Sequence, residues 1–384
     1  MSSIKLSKDI NTIRSALYER IESVQDDYAA KGHLPSRLNL NKGIVRGIIE
    51  LFAWGQWQLY TFLDVVHTQA IPLESTGNWL DLHAEQVGLT RKGATKARGN
   101  VLFLRGDATG NLRIPAGRIV RTKADGAGEI YRYVTDALVV LPDGAESVAV
   151  SVTAEEYGQS SNAGVGQICE LVTPVEGIGG VTNVADWLTE EGADEESDVS
   201  LRRRYALEWQ SKAGVTRAAY EAAALSVTGV VDVHVADRHP RGEGTVDVVV
   251  MGTAGMPTAS LLAAVEGALA DAIVINHDLL VKAPVAVGVH VKAVLELLSG
   301  DETSILAEAE SWVRSLFSYD DDEDVPRFSI GKDVVRDRIA SGIVGIPGVK
   351  RIRWENPAED IEIPADGLAV LVSLELSAVW VNEA

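Results

Sequence analysis

One cysteine, Cys169, is all the thiol chemistry this 384-residue sequence holds. Its isolation excludes an intramolecular disulfide and a thiolate-rich zinc site, and it suits a chain folded in a reducing cytoplasm. Positive charge is also scarce: 35 Lys and Arg stand against 55 Asp and Glu, a formal charge of −20. A surface built to hold nucleic acid by long-range attraction is therefore not expected. Long apolar runs are missing too, since no stretch approaches the roughly eighteen residues that a bilayer-crossing helix requires. Residues 1–18 carry mixed charges and no apolar core of signal-peptide length. The expectation is a chain without membrane insertion.

The motifs of common catalysis are equally absent. Seven histidines, at 33, 67, 83, 234, 239, 277 and 290, never form the HExxH spacing that sets two imidazoles on one helix face around zinc. No Gly-x-Ser-x-Gly elbow exposes a serine nucleophile. Cys169 lies in the alternating run 166–171, a packed thiol rather than an activated one. Gly177, Gly179 and Gly180 form a turn with no phosphate-binding lysine or helix behind them. The acidic runs Asp320–Asp324 and Glu190–Glu196 lack the spaced ligands and central glycine of a calcium loop and read as solvated loops, with Arg202, Arg203 and Arg204 near enough to pair with the second. No catalytic, cofactor or metal site is expected, and no small-molecule substrate.

What is present is ordinary globular material. Hydrophobic residues make up 46% and charged residues 23%, enough to bury a core in each of about two to three domains. From Ser7 to Val87 the apolar spacing is helical. Within Gly43–His67, Ile44, Ile48, Leu51, Trp54 and Leu59 fall near one face, and Phe52, Trp57, Phe62 and Val66 widen it. A helix apolar over so much of its circumference needs neighbours, either from its own chain or from a partner. Between Gly99 and Thr182 short alternating runs predict strands at 100–104, 118–122, 130–134, 147–153 and 167–173, a small antiparallel β domain.

An acidic linker, 189–199, leads to a helix begun by Ser197 or Asp198 and carrying Leu201, Tyr205 and Trp209. The remainder predicts α/β modules: helices at 216–227, 258–275, 302–318 and 331–342, and strands at 230–236, 245–251, 285–297, 349–354 and 368–376. In the second helix Leu261, Val265, Leu269 and Ile273 share a stripe. A helix ending before Gly229-Val230 and another before Gly348-Val349, each followed by two strands, suggest a degenerate internal repeat. The fold class read from these patterns is α+β: an N-terminal helical arm, a small antiparallel β domain and C-terminal α/β sandwich modules. The divisions expected are 1–98, 99–188, 189–215 (linker and helix), 216–284 and 285–384.

A collinear set of motifs then gives a resemblance. Trp79, Leu80 and Asp81 are followed by Gly88, Arg91 and Gly99; Ile114-Pro115-Ala116-Gly117 and Val152-Thr153-Ala154-Glu155 follow, with Gly158, Asn162 and Gly166; Gly192 to Ser197 comes next with Arg202 and Arg204, then Gly214-Val215-Thr216, Gly229 and Gly244. In this order, from about residue 71 to 250, the sequence resembles the baseplate protein J family of contractile phage tails.

The resemblance implies a structural baseplate wedge subunit and no enzyme. It would be assembled in the host bacterial cytoplasm and carried in the virion tail. Its implied partners are other baseplate wedge proteins and copies of itself in a six-fold ring around the tail tube, with the linker 189–199 as a hinge during contraction. In that reading Ile44, Ile48, Leu51, Trp54, Trp57, Leu59 and Phe62 are the candidate inter-subunit contacts. A tailocin or other contractile injection system is the equivalent alternative. A carbohydrate-binding adhesin is the rival from another class, and the β segment's few aromatics, Phe103, Tyr131 and Tyr157 among them, argue against it.

Overall fold

A computed structural model describes residues 8–33, 38–40, 42–124, 128–211, 216–270, 277–319 and 327–381. The chain divides into two units, Met1–Thr90 and Arg91–Ala384.

The first unit is helical: α1 (Ile10–Ala30), α2 (Ile44–Gln69) and α3 (Asn78–Gln86). Asp9 caps α1 by accepting from the Asn11 N–H at 2.9 Å. Only one side of α2 meets α1. Ile49 and Ala53 are buried there, as is Ile13 of α1, and Arg14 donates to Glu50 at 2.8 Å beside them. Leu80 and Ala84 of α3 are fully buried, whereas Trp79 remains exposed and Asp81 half-exposed.

The second unit opens with an antiparallel barrel of β1 (Arg98–Leu104), β2 (Leu112–Ile114), β3 (Ile119–Thr122), β4 (Arg132–Thr135), β5 (Val139–Leu141), β6 (Ser147–Ala154), β7 (Ile168–Leu171), β8 (Gly180–Thr182) and β9 (Leu188–Glu190). The main sheet runs β7-β3-β4-β6-β1-β8, with β9 also on β1 and β2 paired to β5 as a separate ribbon. All five strands expected here exist. The short β2, β5, β8 and β9 escaped the sequence reading because three-residue strands carry almost no alternation. Asn183 closes the sheet between its end strands: its carbonyl accepts from Gly166 N–H at 2.8 Å, its Oδ1 accepts from Ile168 N–H at 2.9 Å, and its Nδ2 donates to Gly164 O at 2.8 Å. Phe103, Ile114, Val120, Tyr133, Val150, Val152 and Ile168 fill the interior. Pro115 and Gly117 make the expected turn, Gly117 at φ 79°.

Next come α4 (Asp198–Ser211), α5 (Arg217–Leu225), β10 (Val230–Ala236), β11 (Thr245–Gly252), α6 (Ala259–Ala270) and β12 (Asp278–Lys282). Ser197 starts α4, its Oγ accepting from Ser200 N–H at 3.2 Å. The stripe expected on α4 is only partly inward: Leu201 is buried but Trp209 is exposed, and Arg204 takes the buried place between them. In the sheet β10-β11-β12, β11 is antiparallel to β10 and parallel to β12. Every residue of β11 is buried. One face packs on Tyr220, Leu225, Leu261, Val265 and Leu269, the other places Val249 and Met251 against Ile330 and Leu368. Ile273 and the 320–324 acidic run lie outside the described residues.

The last module holds β13 (Val285–Leu297), α7 (Glu302–Leu316), α8 (Arg336–Gly345), β14 (Val349–Asn356) and β15 (Gly367–Trp380). The expected helix at 331–342 begins later. Gly331 sits at φ 69° with Ala365 against it, and Val334 bridges Ile361, so the chain is held in a turn and a β-bridge before the helix can start. Ile305, Ala309, Val313, Ile339 and Ile343 form one core with alternate residues of β13. The internal repeat is half realised. Gly229 and Gly348, at φ 93° and 100°, both turn a helix into an edge strand. After Gly229, however, β10 pairs directly with β11, whereas β14 and β15 lie on opposite sides of β13.

Candidate interaction surface

The face of α2 turned away from α1 is uncovered within the described residues. Ile44, Leu51, Leu59 and Phe62 expose 84%, 69%, 68% and 67% of their surface, and Ile48, Phe52, Trp54, Leu63 and Val65 are exposed as well. Trp57 is half-buried, on the flank nearer α1. Spacings of three and four from Ile44 through Ile48, Leu51, Gly55, Leu59 and Phe62 set these side chains in one stripe along the helix. Two of its positions are glycines, Gly47 and Gly55, where an added Cβ would meet nothing. Glycine costs helix stability, about 1 kcal/mol relative to alanine. Contiguous apolar surface exposed in this way is uncommon on monomeric proteins, whose exposed apolar residues are usually scattered singly.

The second feature lies where the barrel meets the α/β module. The run Glu190–Glu196 reads as a solvated acidic loop; the structure corrects this. Asp194 and Glu195 are exposed, but Glu191, Gly192, Ala193 and Glu196 are buried. Each buried carboxylate has a specific seat. Glu191 Oε1 accepts from Thr258 N–H at 2.8 Å, and its Oε2 lies 3.2 Å from Thr253 Oγ1 and 3.4 Å from Ala254 N. Burial pushes its carboxyl above the ordinary range, against the opposing pull of those N–H donors. Glu196 Oε2 accepts from Arg204 at 2.6 Å and from Lys92 N–H at 3.1 Å. Arg91 donates to the Glu196 carbonyl and to Asp198, both at 2.7 Å. Acidic composition alone reads as solvated; the missed signal was the small pair Gly192-Ala193 inside the run, which admits close backbone approach.

The other motif glycines serve turns and close contacts. Gly88 and Gly244 adopt φ of 86° and 78°, and Gly244 O accepts from Asp278 N–H at 2.9 Å where β11 meets β12. Arg105, which the sequence did not flag, sits buried and donates to the carbonyls of Ala108, Gly110, Pro142 and Ala145 at 2.7–2.8 Å. It ties two barrel loops together.

Two buried carboxylates on the sheets are each covered by basic side chains. Asp247 of β11 holds Arg241 at 2.6 Å and Lys282 at 3.2 Å, and Lys282 also reaches Asp366 at 2.9 Å. Glu296 of β13 is covered by Arg351, which donates at 2.6 and 2.8 Å, and by Arg353. These hydrogen bonds hold the Glu296 carboxyl down at about 2. Among the described residues, no group of three or more His, Cys, Asp or Glu is arranged to hold a metal ion, and no helix is long and apolar enough to cross a membrane. Cys169 lies half-buried on β7, in a hollow shared with Tyr131, Asn162 and Gln167.

These features define an α+β scaffold: a helical unit with a bare apolar face, and a barrel joined by a buried strap to the first of two α/β modules. Residues 100–190 match the family model of the Baseplate J-like protein barrel domain, and residues 212–293 match that of the Baseplate J-like central domain. Over these two stretches the chain is similar to the baseplate J family. A putative baseplate protein, gp29 of Haemophilus phage HP1 (strain HP1c1), is 33% identical over 184 residues, a match spanning 45% of each chain. The cryo-EM structure of the anti-feeding prophage baseplate, six-fold symmetrised, contains a chain with a TM-score of 0.38 and 12% identity, covering 91% of this chain and 90% of that one.

Proposed function

We propose that this chain is a structural subunit of a contractile phage-tail baseplate, a wedge component with no catalytic role. The observation that carries this reading is the bare stripe on α2. Burying apolar surface is worth about 25 cal/mol per Å², so a stripe of this extent left in water favours association with other helices. The matches of residues 100–190 and 212–293 to baseplate J-like domains support the baseplate setting, as does the likeness to the putative baseplate protein of the Haemophilus phage. Ile44, Ile48, Leu51, Trp54, Trp57, Leu59 and Phe62 are then the contacts to other wedge proteins. The α/β modules, as units of about 216–284 and 285–384, meet neighbouring copies in a six-fold ring around the tube. Assembly in the host cytoplasm, incorporation into the virion tail and transmission of the contraction signal by rigid-body movement complete the proposal. The same part in a tailocin or another contractile injection system is the equivalent alternative.

The test is co-expression with the products of the adjacent tail genes, followed by size measurement of the purified species. The wild-type chain is expected in a hetero-complex, and Leu51→Glu combined with Phe62→Glu is expected to abolish it. A wild-type chain that stays monomeric beside every tail product, or purified protein that hydrolyses peptidoglycan, would overturn the reading.

A further inference from the structure

The strap between the barrel and the first α/β module is bonded on both sides, residue by residue. On the barrel side, the Asn162 side chain imitates a strand: its Oδ1 accepts from Gly192 N–H at 2.8 Å and its Nδ2 donates to Gly192 O at 2.9 Å. Thr95 adds a true antiparallel bridge, accepting from Ala193 N–H at 3.2 Å and donating to Ala193 O at 2.8 Å. A Cβ on Gly192 would come within 2.5 Å of Gly158 O and 2.8 Å of Ser161 Oγ, so only glycine fits. On the module side, Thr253 Oγ1 lies 2.8 Å from Gly192 O, and Glu191 fills the space above Gly252, where a Cβ would sit 2.3 Å from Oε2. Thr258, whose N–H binds Glu191, also starts α6 through its hydroxyl, which accepts from Leu261 N–H at 3.2 Å.

Four residues further on, the strap takes hold of the segment that follows the helical unit. Glu196 N–H donates to Lys92 O at 3.0 Å, and the Arg91 and Lys92 contacts to Glu196 and Asp198 surround that bond. Lys92 Nζ reaches on to Val227 O at 2.9 Å, at the end of α5. Residues 91–92, the barrel and the α/β module therefore converge on eight consecutive residues.

From this convergence we propose that residues 191–198 act as a latch rather than a hinge. They lock the barrel, the α/β module and the root at Arg91–Lys92 into one rigid body, with Glu191 as the keystone on the module side and Asn162 on the barrel side. A hinge requires backbone whose hydrogen bonds go to water. Here the amides of Gly192, Ala193 and Glu196 all donate to protein, and the carbonyls of Gly192, Ala193 and Glu196 all accept from it. Opening the latch would strand the carboxylates of Glu191 and Glu196 and the carbonyls of Gly192, Ala193 and Glu196. The inference does not depend on the baseplate reading, because it concerns how the chain holds itself and is tested on the purified protein alone.

The experiment is hydrogen exchange of the full-length chain, read by mass spectrometry over peptides spanning 188–198, together with calorimetry. In the wild type the strap amides are expected to exchange as slowly as the barrel strand β1, and the barrel and module to melt in one transition. Glu191→Gln replaces one carboxylate oxygen with an amide N–H₂, which then opposes the N–H of either Thr258 or Ala254. It is expected to speed strap exchange about tenfold or more and to split the melting transition. Asn162→Ala acts from the opposite side and should give the same result, so a folding failure of one variant leaves the other to decide. Glu190→Gln, altering the exposed neighbour, should leave both readouts unchanged. Strap amides that exchange in the wild type as fast as exposed loops, or an unchanged rate and a single transition in both variants, would overturn the latch.

Discussion

Gly99 lies directly under Trp187. A Cβ at position 99 would stand 2.3 Å from the Trp187 carbonyl oxygen and 2.5 Å from its indole Cε3. The contact is fixed from three directions: Asn100 N–H donates to Trp187 O at 2.7 Å, the indole N–H donates to Ala163 O at 2.8 Å, and the ring stands edge-on to Tyr133 at 5.6 Å. Tyr133 in turn donates to Ser161 O at 2.7 Å. Gly99→Ala is therefore expected to destabilise the barrel by about 1–3 kcal/mol, the usual cost of overpacking. Denaturant unfolding followed by tryptophan fluorescence checks it, and a change below about 0.5 kcal/mol, the scale of a surface substitution, contradicts the geometry.

Arg105 tests geometry against charge. Its guanidinium donates to carbonyls in two loops, so the planar fork matters more than the positive charge. Arg105→Lys is expected to lose nearly as much as Arg105→Ala, about 2 kcal/mol in unfolding free energy. A lysine variant that matches the wild type in urea midpoint would show that one ammonium suffices.

Acid sensitivity follows from Glu296. With Arg351 and Arg353 holding its folded carboxyl down at about 2, the group binds its proton more readily in the unfolded chain. The stability it contributes is fully present above about 4.5, the unfolded carboxyl value, and is lost as pH falls from there through 2. Glu296→Gln is expected to flatten that part of the stability curve while leaving the neutral-pH melting profile the same shape. Melting temperatures taken from pH 7 to pH 2.5 decide the matter; equal slopes in both proteins would contradict it.

The α2 stripe gives a prediction in the isolated chain. Since Leu51 and Phe62 are already solvated there, Leu51→Glu with Phe62→Glu should change unfolding free energy by no more than about 0.5 kcal/mol per site. Self-association at high concentration should fall. A large loss of stability on its own would mean that these side chains pack inside the same polypeptide.

Much of the fold was legible because its signals were periodic. The 3.6-residue spacing in α2 and α6, the alternation from Val285 to Val291 and the glycine turns at Gly117 and Gly229 each tie a side-chain pattern to one backbone geometry. Where the pattern was compositional, the reading failed. Glu191 and Glu196 look like the solvated residues around them, and only their donors, supplied by Thr258 from far along the chain and by Lys92 and Arg204, show that they are buried. The face of α2 was visible as apolar, but whether its own chain covered it depended on where α1 lies. The helix start at Arg336 was hidden for the same reason, since Ala365 and Ile361 hold the preceding turn.

The strand β11 is covered on both sides, and the second cover arrives late. Val249 and Met251 rest on Ile330 and Leu368, which the ribosome adds well after β11 itself. During synthesis that sheet surface stays wet until those downstream residues emerge. A message cut short before codon 330 should thus yield protein that clumps or is degraded, even though its barrel sequence is entire.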